Sequence, residues 1–215
     1  MAERTTDGLR ERKKADTRRA LSDAALTLAF ENGVDQVTRE AIANLAGVSL
    51  RTFNNYFTGK YEALAYRQVE RLRRGIDELR ARPAGEPLWT SVTEAMLAPL
   101  ESDLADIPGD GDDAPSRAEL AEIRKMLMNP EIRSAISKDL FDEWVQVIAE
   151  RSGTDPARDM YPRLVAAVMG AVGDAAMEAY ATADPPVAIT TLYRQGMAAV
   201  AAGLPEPRPV GAEHA

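Results

Sequence analysis

The chain has 215 residues, no cysteine and a single histidine, His214. Disulfides, thiolate metal sites and Cys-based nucleophilic chemistry are therefore excluded, the one histidine lies in a tail expected to be disordered, and no cofactor or metal is expected. The formal charge of -8 is unevenly placed: residues 1 to 82 carry 16 Lys and Arg against 12 Asp and Glu, whereas residues 83 to 215 carry 10 against 22. A basic amino-terminal part is followed by an acidic remainder, so the whole-chain charge does not argue against a polyanionic partner.

The first dozen residues are polar and are expected to be a disordered arm, with Arg10, Arg12, Lys13 and Lys14 placed just before the first helix. Such an arm can follow a nucleic-acid backbone or remain solvated, and both readings stay open. The first helix is predicted from about Asp16 to Asn32, with Leu21, Ala24, Ala25 and Leu28 as its apolar stripe and Gly33 as its stop.

The stretch Thr38 to Leu64, TREAIANLAGVSLRTFNNYFTGKYEAL, reads as two short helices around a turn at Gly47, followed by the start of a longer helix at Lys60. Thr38 is a good N-cap, and Ala41, Ile42, Leu45 and Ala46 give the first short helix its apolar stripe. In the second, Phe53, Tyr56 and Phe57 form an inner face while Leu50, Arg51, Asn54 and Asn55 recur on the opposite one. Arg can donate a bidentate pair to guanine and Asn can pair with adenine, so this outer face has the chemistry of major-groove readout. Thr52, Tyr56 and Lys60 have donors suited to phosphate oxygens.

The spacing T-x-x-x-I-A-x-x-A-G-V-S-x-x-T-[FY]-x-x-[YH]-F-x-x-K-x-x-L is met at Thr38, Ile42, Ala43, Ala46, Gly47, Val48, Ser49, Thr52, Phe53, Tyr56, Phe57, Lys60 and Leu64. On these residues the stretch resembles the TetR family of one-component transcriptional regulators, and the wording SLRTFNNYF resembles its actinobacterial-type members, some of which respond to acyl thioesters. Carried over by position, the resemblance implies base contacts from Leu50, Arg51 and Asn54. It implies phosphate contacts from Thr38, Arg39, Thr52, Asn55, Tyr56 and Lys60. Asn54 departs from the Tyr or Phe that many members carry there, which bears on the operator and not on the family.

The fourth helix is predicted from Lys60 to Arg82, and all thirteen prolines lie after it. Beyond Pro83-Ala-Gly-Glu-Pro87 the breakers delimit helices over about Leu88–Glu101, Ser116–Met128, Glu131–Arg151, Asp155–Tyr180 and Val187–Gly203. No run alternates as a strand would, so the expected fold is all-α: a three-helix head joined by a long fourth helix to a helical carboxy-terminal domain. Expected boundaries are 1–60 for the arm and head, 61–204 for the second domain and 205–215 for a disordered tail. The acidic stretch Asp103 to Pro115 lacks the Gly and Glu positions of a calcium loop and reads as a solvated loop. The longest apolar run, Leu164 to Gly173, is ten residues, so no membrane span is expected and the cytoplasm is the expected location.

For the carboxy-terminal part the resemblance implies a small-molecule effector and a second subunit. Leu72, Ile76, Trp89, Met96, Met126, Leu127, Phe141 and Trp144 are candidates to line an apolar pocket, with Tyr161, Arg163 and Tyr193 as polar ends. The last two helices are rich in small residues, so Ala167, Gly170, Ala171, Asp174, Leu192 and Met197 are candidates for a homodimer interface. The expected function is a dimeric repressor of a palindromic operator, released by an apolar or amphipathic effector. An activator, or a regulator controlled by a protein partner, is the alternative on the same fold. No H-E-x-x-H, Walker A or G-x-G-x-x-G pattern occurs, and catalysis is not expected.

Overall fold

The computed structural model describes residues 3–105, 125–126, 128–136, 138–185 and 187–206. Among them all regular structure is helical: α1 (Glu3–Asn32), a 3-10 turn (Val34–Gln36), α2 (Arg39–Leu45), α3 (Leu50–Tyr56), α4 (Lys60–Ala81), α5 (Leu88–Ala105), α6 (Pro130–Ala135), α7 (Lys138–Ser152), α8 (Tyr161–Thr182) and α9 (Ile189–Ala201). The all-α expectation holds. The helix expected over Ser116–Met128, most of the acidic stretch and most of the tail lie outside the described residues.

Four boundaries differ from expectation. Helix α5 runs past the expected Glu101 to Ala105, so Asp103, Leu104 and Ala105 of the expected acidic loop are helical. The other three have local reasons. Helix α1 begins at Glu3, so the amino-terminal arm is helical where disorder was expected. Its Glu, Arg and Lys residues are good helix formers, and extending an existing helix avoids the cost of a new nucleus. The helix expected over Glu131–Arg151 is two helices, because Ile136 adopts an extended backbone after α6 and packs half-buried against the first core. Helix α8 starts six residues later than expected. Asp155 and Asp159 accept backbone N–H groups from Ala157 and Asp155 in a preceding turn, and Pro162, which lacks an N–H, sits in the first turn of the helix.

The chain divides into two compact units, Met1–Arg74 with Gly109–Asp142 and Gly75–Pro108 with Glu143–Ala215. Helix α4 thus gives its first turns to one unit and the rest to the other. In the first, Leu21, Ala25, Ile42, Phe53, Phe57, Ala63 and Leu64 form the core, joined by Met126 and Ile132. Ser22, fully buried, donates from Oγ to the Ala63 carbonyl at 2.7 Å and so fixes α1 against α4. Arg19 and Tyr66 converge on Glu70, at 3.2 Å and 2.6 Å, from the same two helices. Burial and this carboxylate push the Tyr66 hydroxyl up to about 12.

In the second unit α9 packs against α8 and α5. The approach of α8 to α9 is close at Gly196, where a Cβ would lie 2.7 Å from Cγ1 of Val172. A Cβ on Gly75 would lie 3.0 Å from both the Ala95 carbonyl and the Trp144 ring, so a larger residue there would push α5 and α7 away from α4. Helix α8 has 22 residues and holds an 18-residue window of mean hydropathy 1.3, enough by length and composition to cross a membrane, which the ten-residue run alone did not show. It nevertheless carries Arg163, Asp174 and Glu178, and buries Val165, Ala166, Met169 and Ala176 within the unit.

The end of α4 is held by a polar cluster. Arg151 donates to the carbonyls of Arg82 (3.2 Å), Pro83 (2.5 Å) and Glu86 (3.3 Å) and to Ser91 Oγ (2.6 Å). Glu86 accepts from Arg82 and from Ser91, which hold its carboxyl down to about 2. A carboxylate with a lowered folded-state pKa stabilises the fold above its unfolded value of about 4.3, and that contribution disappears as pH falls through the interval toward the folded value. Wild-type melting temperature should therefore fall more steeply than that of Glu86→Gln between about pH 4.5 and 2, the two converging at the acid end. Parallel melting curves across that range would show that the cluster has no such role.

Candidate nucleic-acid interface

Helix α2 ends in a turn whose hydrogen bonds dictate glycine. Val48 N donates to the Ala43 carbonyl at 2.9 Å and Gly47 N to that of Asn44 at 3.1 Å, with Gly47 at φ 67°. This double closure requires a left-handed residue at its centre, a conformation that costs any side chain with a Cβ. Ser49 then caps α3: its Oγ accepts from Thr52 N at 3.1 Å and lies 2.8 Å from Thr52 Oγ1. Two helices of seven residues, each about 10 Å long by the helical rise, are thereby joined at a fixed angle.

What seats α3 is Phe53, fully buried, with Phe57 at a ring separation of 5.8 Å and Tyr66 of α4 a further 5.6 Å on, edge to face. Helical periodicity then leaves Arg51, Asn54 and Asn55 exposed on the other side, with Leu50, Thr52 and Tyr56 half-buried at its margins. The structure brings these six together on one short helix. Thr38 caps α2 by accepting from Ala41 N at 3.1 Å, which leaves its hydroxyl proton available, and Arg39 is exposed beside it.

Lys60 is differently placed from the other candidates. Its ammonium donates to the carbonyls of Val34 at 3.0 Å and Asp35 at 3.2 Å, and lies 5.2 Å from the centroid of the Tyr61 ring. Two of its three N–H groups thus tie the 3-10 turn to the start of α4, and one remains for an external acceptor. Sequence reasoning missed this clamp because its acceptors are backbone carbonyls some 25 residues away. It also passed over Ser49 as a structural cap, although the S-x-x-T spacing is its signal. The guanidinium of Arg18 lies 5.8 Å over the Tyr56 ring, which no local pattern foretells.

The pocket candidates are scattered. Ile76 and Trp144 are buried and Trp89 and Met96 half-buried in the second unit, whereas Leu72, Met126 and Phe141 belong to the first. Met126 is a member of the head's apolar core and not a free wall, Phe141 is 38% exposed, and Leu127 lies outside the described residues. Tyr161 and Arg163 point outward from the first turn of α8, so they are not the polar ends of an enclosed site. Tyr193 is buried, and burial pushes its hydroxyl pKa well up. Among the described residues its Oη and Trp144 Nε1 have no hydrogen-bond partner.

Of the dimer candidates, Ala167, Gly170 and Ala171 are exposed along α8, Asp174 and Leu192 are half-buried, and Met197 is 1% exposed. Met197 is therefore a core residue of its own subunit. A side chain of its length, on the face of α9 that meets α8 and α5, fills the interior. An open cleft between α5 and α9 is lined by Glu101, Thr190, Thr191, Arg194, Gln195 and Ala198, and Arg194 there is already paired with Glu94 and Glu101.

A short helix seated by one buried aromatic, entered through a capped glycine turn and presenting Arg and Asn outward, defines a helix-turn-helix DNA-binding protein. Residues 21–65 match the family described as bacterial regulatory proteins of the tetR family, and residues 86–205, more than half of the chain, match the MftR C-terminal domain. The HTH-type transcriptional regulator TcmR of Streptomyces glaucescens is 33% identical over 175 residues, covering 77% of this chain and 74% of that protein. The chain belongs to the TetR family of DNA-binding transcriptional regulators. Two solved structures share its fold: a TetR-family regulator from Syntrophomonas wolfei (TM-score 0.62, 13% identity, 90% of this chain and 99% of that one) and FadR of Thermus thermophilus in complex with lauroyl-CoA (TM-score 0.55, 19% identity, 90% and 100%).

The Lys60 clamp and the Ser49 cap predict stability effects in the absence of DNA. Lys60→Met should destabilise the head by about 1.5–3 kcal/mol, the range for hydrogen bonds to a charged group, and Ser49→Ala by about 1 kcal/mol. Urea unfolding of free protein measures both. Unchanged midpoints would assign Lys60 to external contacts alone.

Proposed function

We propose that the chain acts as a homodimeric repressor in the cytoplasm, that it binds a palindromic operator and that a small apolar or amphipathic effector releases it. The observation that carries the DNA part is the exposed Arg51, Asn54 and Asn55 face of α3, opposite buried Phe53. Arg51 and Asn54 read base edges, Leu50 makes apolar contact at the groove floor, and Thr38, Arg39, Thr52, Asn55 and Tyr56 hold phosphates. Lys60 contributes its one remaining N–H at most. The DNA-reading residues lie within residues 1–60, the packing that seats them draws also on Ala63, Leu64, Met126 and Ile132, and the effector and dimerisation functions are assigned to the helices of the second unit.

Dimerisation is supported by α8, where Leu164, Ala167, Gly170, Ala171 and Ala175 are exposed at helical spacing, with Asp174 and Glu178 at the carboxy-terminal end of the same stripe. Small residues let two such helices approach closely, and the isologous pairing of α8 and α9 from two subunits would cover the stripe. Two recognition helices must also meet successive major grooves about 34–36 Å apart, which a two-fold symmetric dimer provides.

For the effector, support comes from the second unit. Trp144 Nε1 and Tyr193 Oη are buried donors without partners, and each such group carries a desolvation cost that an acceptor on a ligand would relieve. A largely apolar molecule with a carbonyl or ester oxygen fits that requirement. An effector favouring the DNA-incompetent arrangement a hundredfold would supply roughly 2.7 kcal/mol to the release. Helix α4, shared by both units, is the covalent link through which such a preference would reach the head.

Selection of bound sequences from a random duplex pool tests the DNA reading. Wild type should enrich a palindrome, and Arg51→Ala or Asn54→Ala should relax it at specific positions at a cost of about 1–3 kcal/mol each. Enrichment of a single half-site, or a consensus indifferent to both substitutions, would overturn it. For the dimer, Gly170→Arg should give monomers by sedimentation and lose the palindrome while keeping a folded head. Retention of the dimer would move the interface away from α8.

A further inference from the structure

Helix α1 carries more than the head requires. The match to the family's amino-terminal domain begins at residue 21, yet α1 begins at Glu3. Within this extra length, residues 10–19 hold six Lys and Arg against two acidic residues, which equals the entire basic excess of residues 1 to 82. This stretch, which the motif itself does not include, is one of two basic runs in residues 1 to 82, the other being Arg71, Arg73 and Arg74 on α4.

The placement of that charge is specific. Arg10, Lys13, Lys14 and Thr17 recur at the three- and four-residue steps that put side chains on one helical face, and Arg10, Lys13 and Lys14 are exposed. One step further along the same side Arg18 lies over the ring of Tyr56, the last residue of α3. The stripe is therefore continuous with the recognition helix within one compact unit. Arg19, on another side of α1, is held by Glu70, and the Lys14 pair with Glu11 is long at 3.9 Å and solvent-exposed. Among the described residues Arg10 and Lys13 have no ion pair to lose.

We infer that this face of α1 is a second DNA contact, in which Arg10, Lys13 and Lys14 bind the phosphates of the duplex flanking the operator half-site, while the Thr17 hydroxyl donates within the helix to the Lys13 carbonyl at 2.8 Å. It rests on the reading of α3 as the groove-entering helix. From Arg18 to Arg10 the helix advances about 12 Å, the length of three to four base pairs. Contacts there add affinity and salt dependence and carry no sequence information. The occupant is duplex DNA because the stripe adjoins the face that reads it and because its charge is complementary to a phosphate track.

The test compares duplexes ending at the selected palindrome with duplexes extended by six base pairs of arbitrary sequence on each side. Wild type should bind the extended duplex at least about tenfold tighter at low salt, with a steeper dependence on salt by about 0.9 for each added phosphate contact. Arg10→Gln/Lys13→Gln/Lys14→Gln, which keeps helix propensity, should bind both lengths equally and enrich the same consensus as wild type. Equal length dependence in the two proteins would overturn the inference. Ethylation interference on wild type should also mark phosphates beyond the palindrome, and protection confined to the palindrome would overturn it without any variant. Should the α3 reading alone fail, Arg51→Ala would leave the consensus intact while the length effect still followed the triple substitution.

Discussion

Burial of Phe53 is the constraint on which the rest of the DNA-binding half depends. A seven-residue helix has little stability of its own, since nucleation costs more than so few hydrogen bonds return. It exists because its aromatic face docks onto a core built from α1, α2 and the start of α4, and because Ser49 and Gly47 fix its entry. Once that face is inside, the three- to four-residue period leaves no freedom about what stands outside. Arg51, Asn54 and Asn55 are presented by default, and their chemistry is that of base and phosphate recognition.

The same economy holds for the framing interactions. Lys60 ties the turn after α1 to α4, Ser22 ties α1 to α4 from within, and Glu70 joins Arg19 to Tyr66 on the outside. Each joins segments distant in sequence, so together they hold α1 and the turn after it against the start of α4. In the second unit the corresponding device is Arg151, which gathers the carbonyls at the end of α4 around a carboxylate kept ionised into acid. Both ends of α4, the helix common to the two units, are thus held by a cation on backbone carbonyls.

The outer faces differ in kind. α3 and the amino-terminal half of α1 expose cations and amides, suited to a wet, charged partner surface. α8 exposes small apolar residues, suited to close helix contact. Tyr193 and Trp144 leave donors inside the second unit, a state that a structure tolerates where a ligand supplies the acceptor. The cations and amides of the first unit and the small apolar residues of α8 thus stand on separate stretches of one DNA-binding regulator.

The sequence by itself determined the head. Gly47, Phe53 and Phe57 stand at the spacings of a helix-turn-helix, because turn chemistry acts over four or five residues and periodicity over a single helix; the Ser49 cap carries an equally local signal that sequence reasoning passed over. The sequence determined the all-α class and the unequal division of charge for the same reason. Tertiary structure alone decided matters of partnership between distant segments. Lys60 was legible as a cation but not as a clamp, and Met197 and Met126 as apolar but not as core. The break at Ile136 depends on packing against the first core, and the approach of the α1 stripe to α3 rests on the contact of Arg18 with the Tyr56 ring. A residue's type fixes what it can bind, whereas burial and neighbours, set by the folded chain, fix what it does bind.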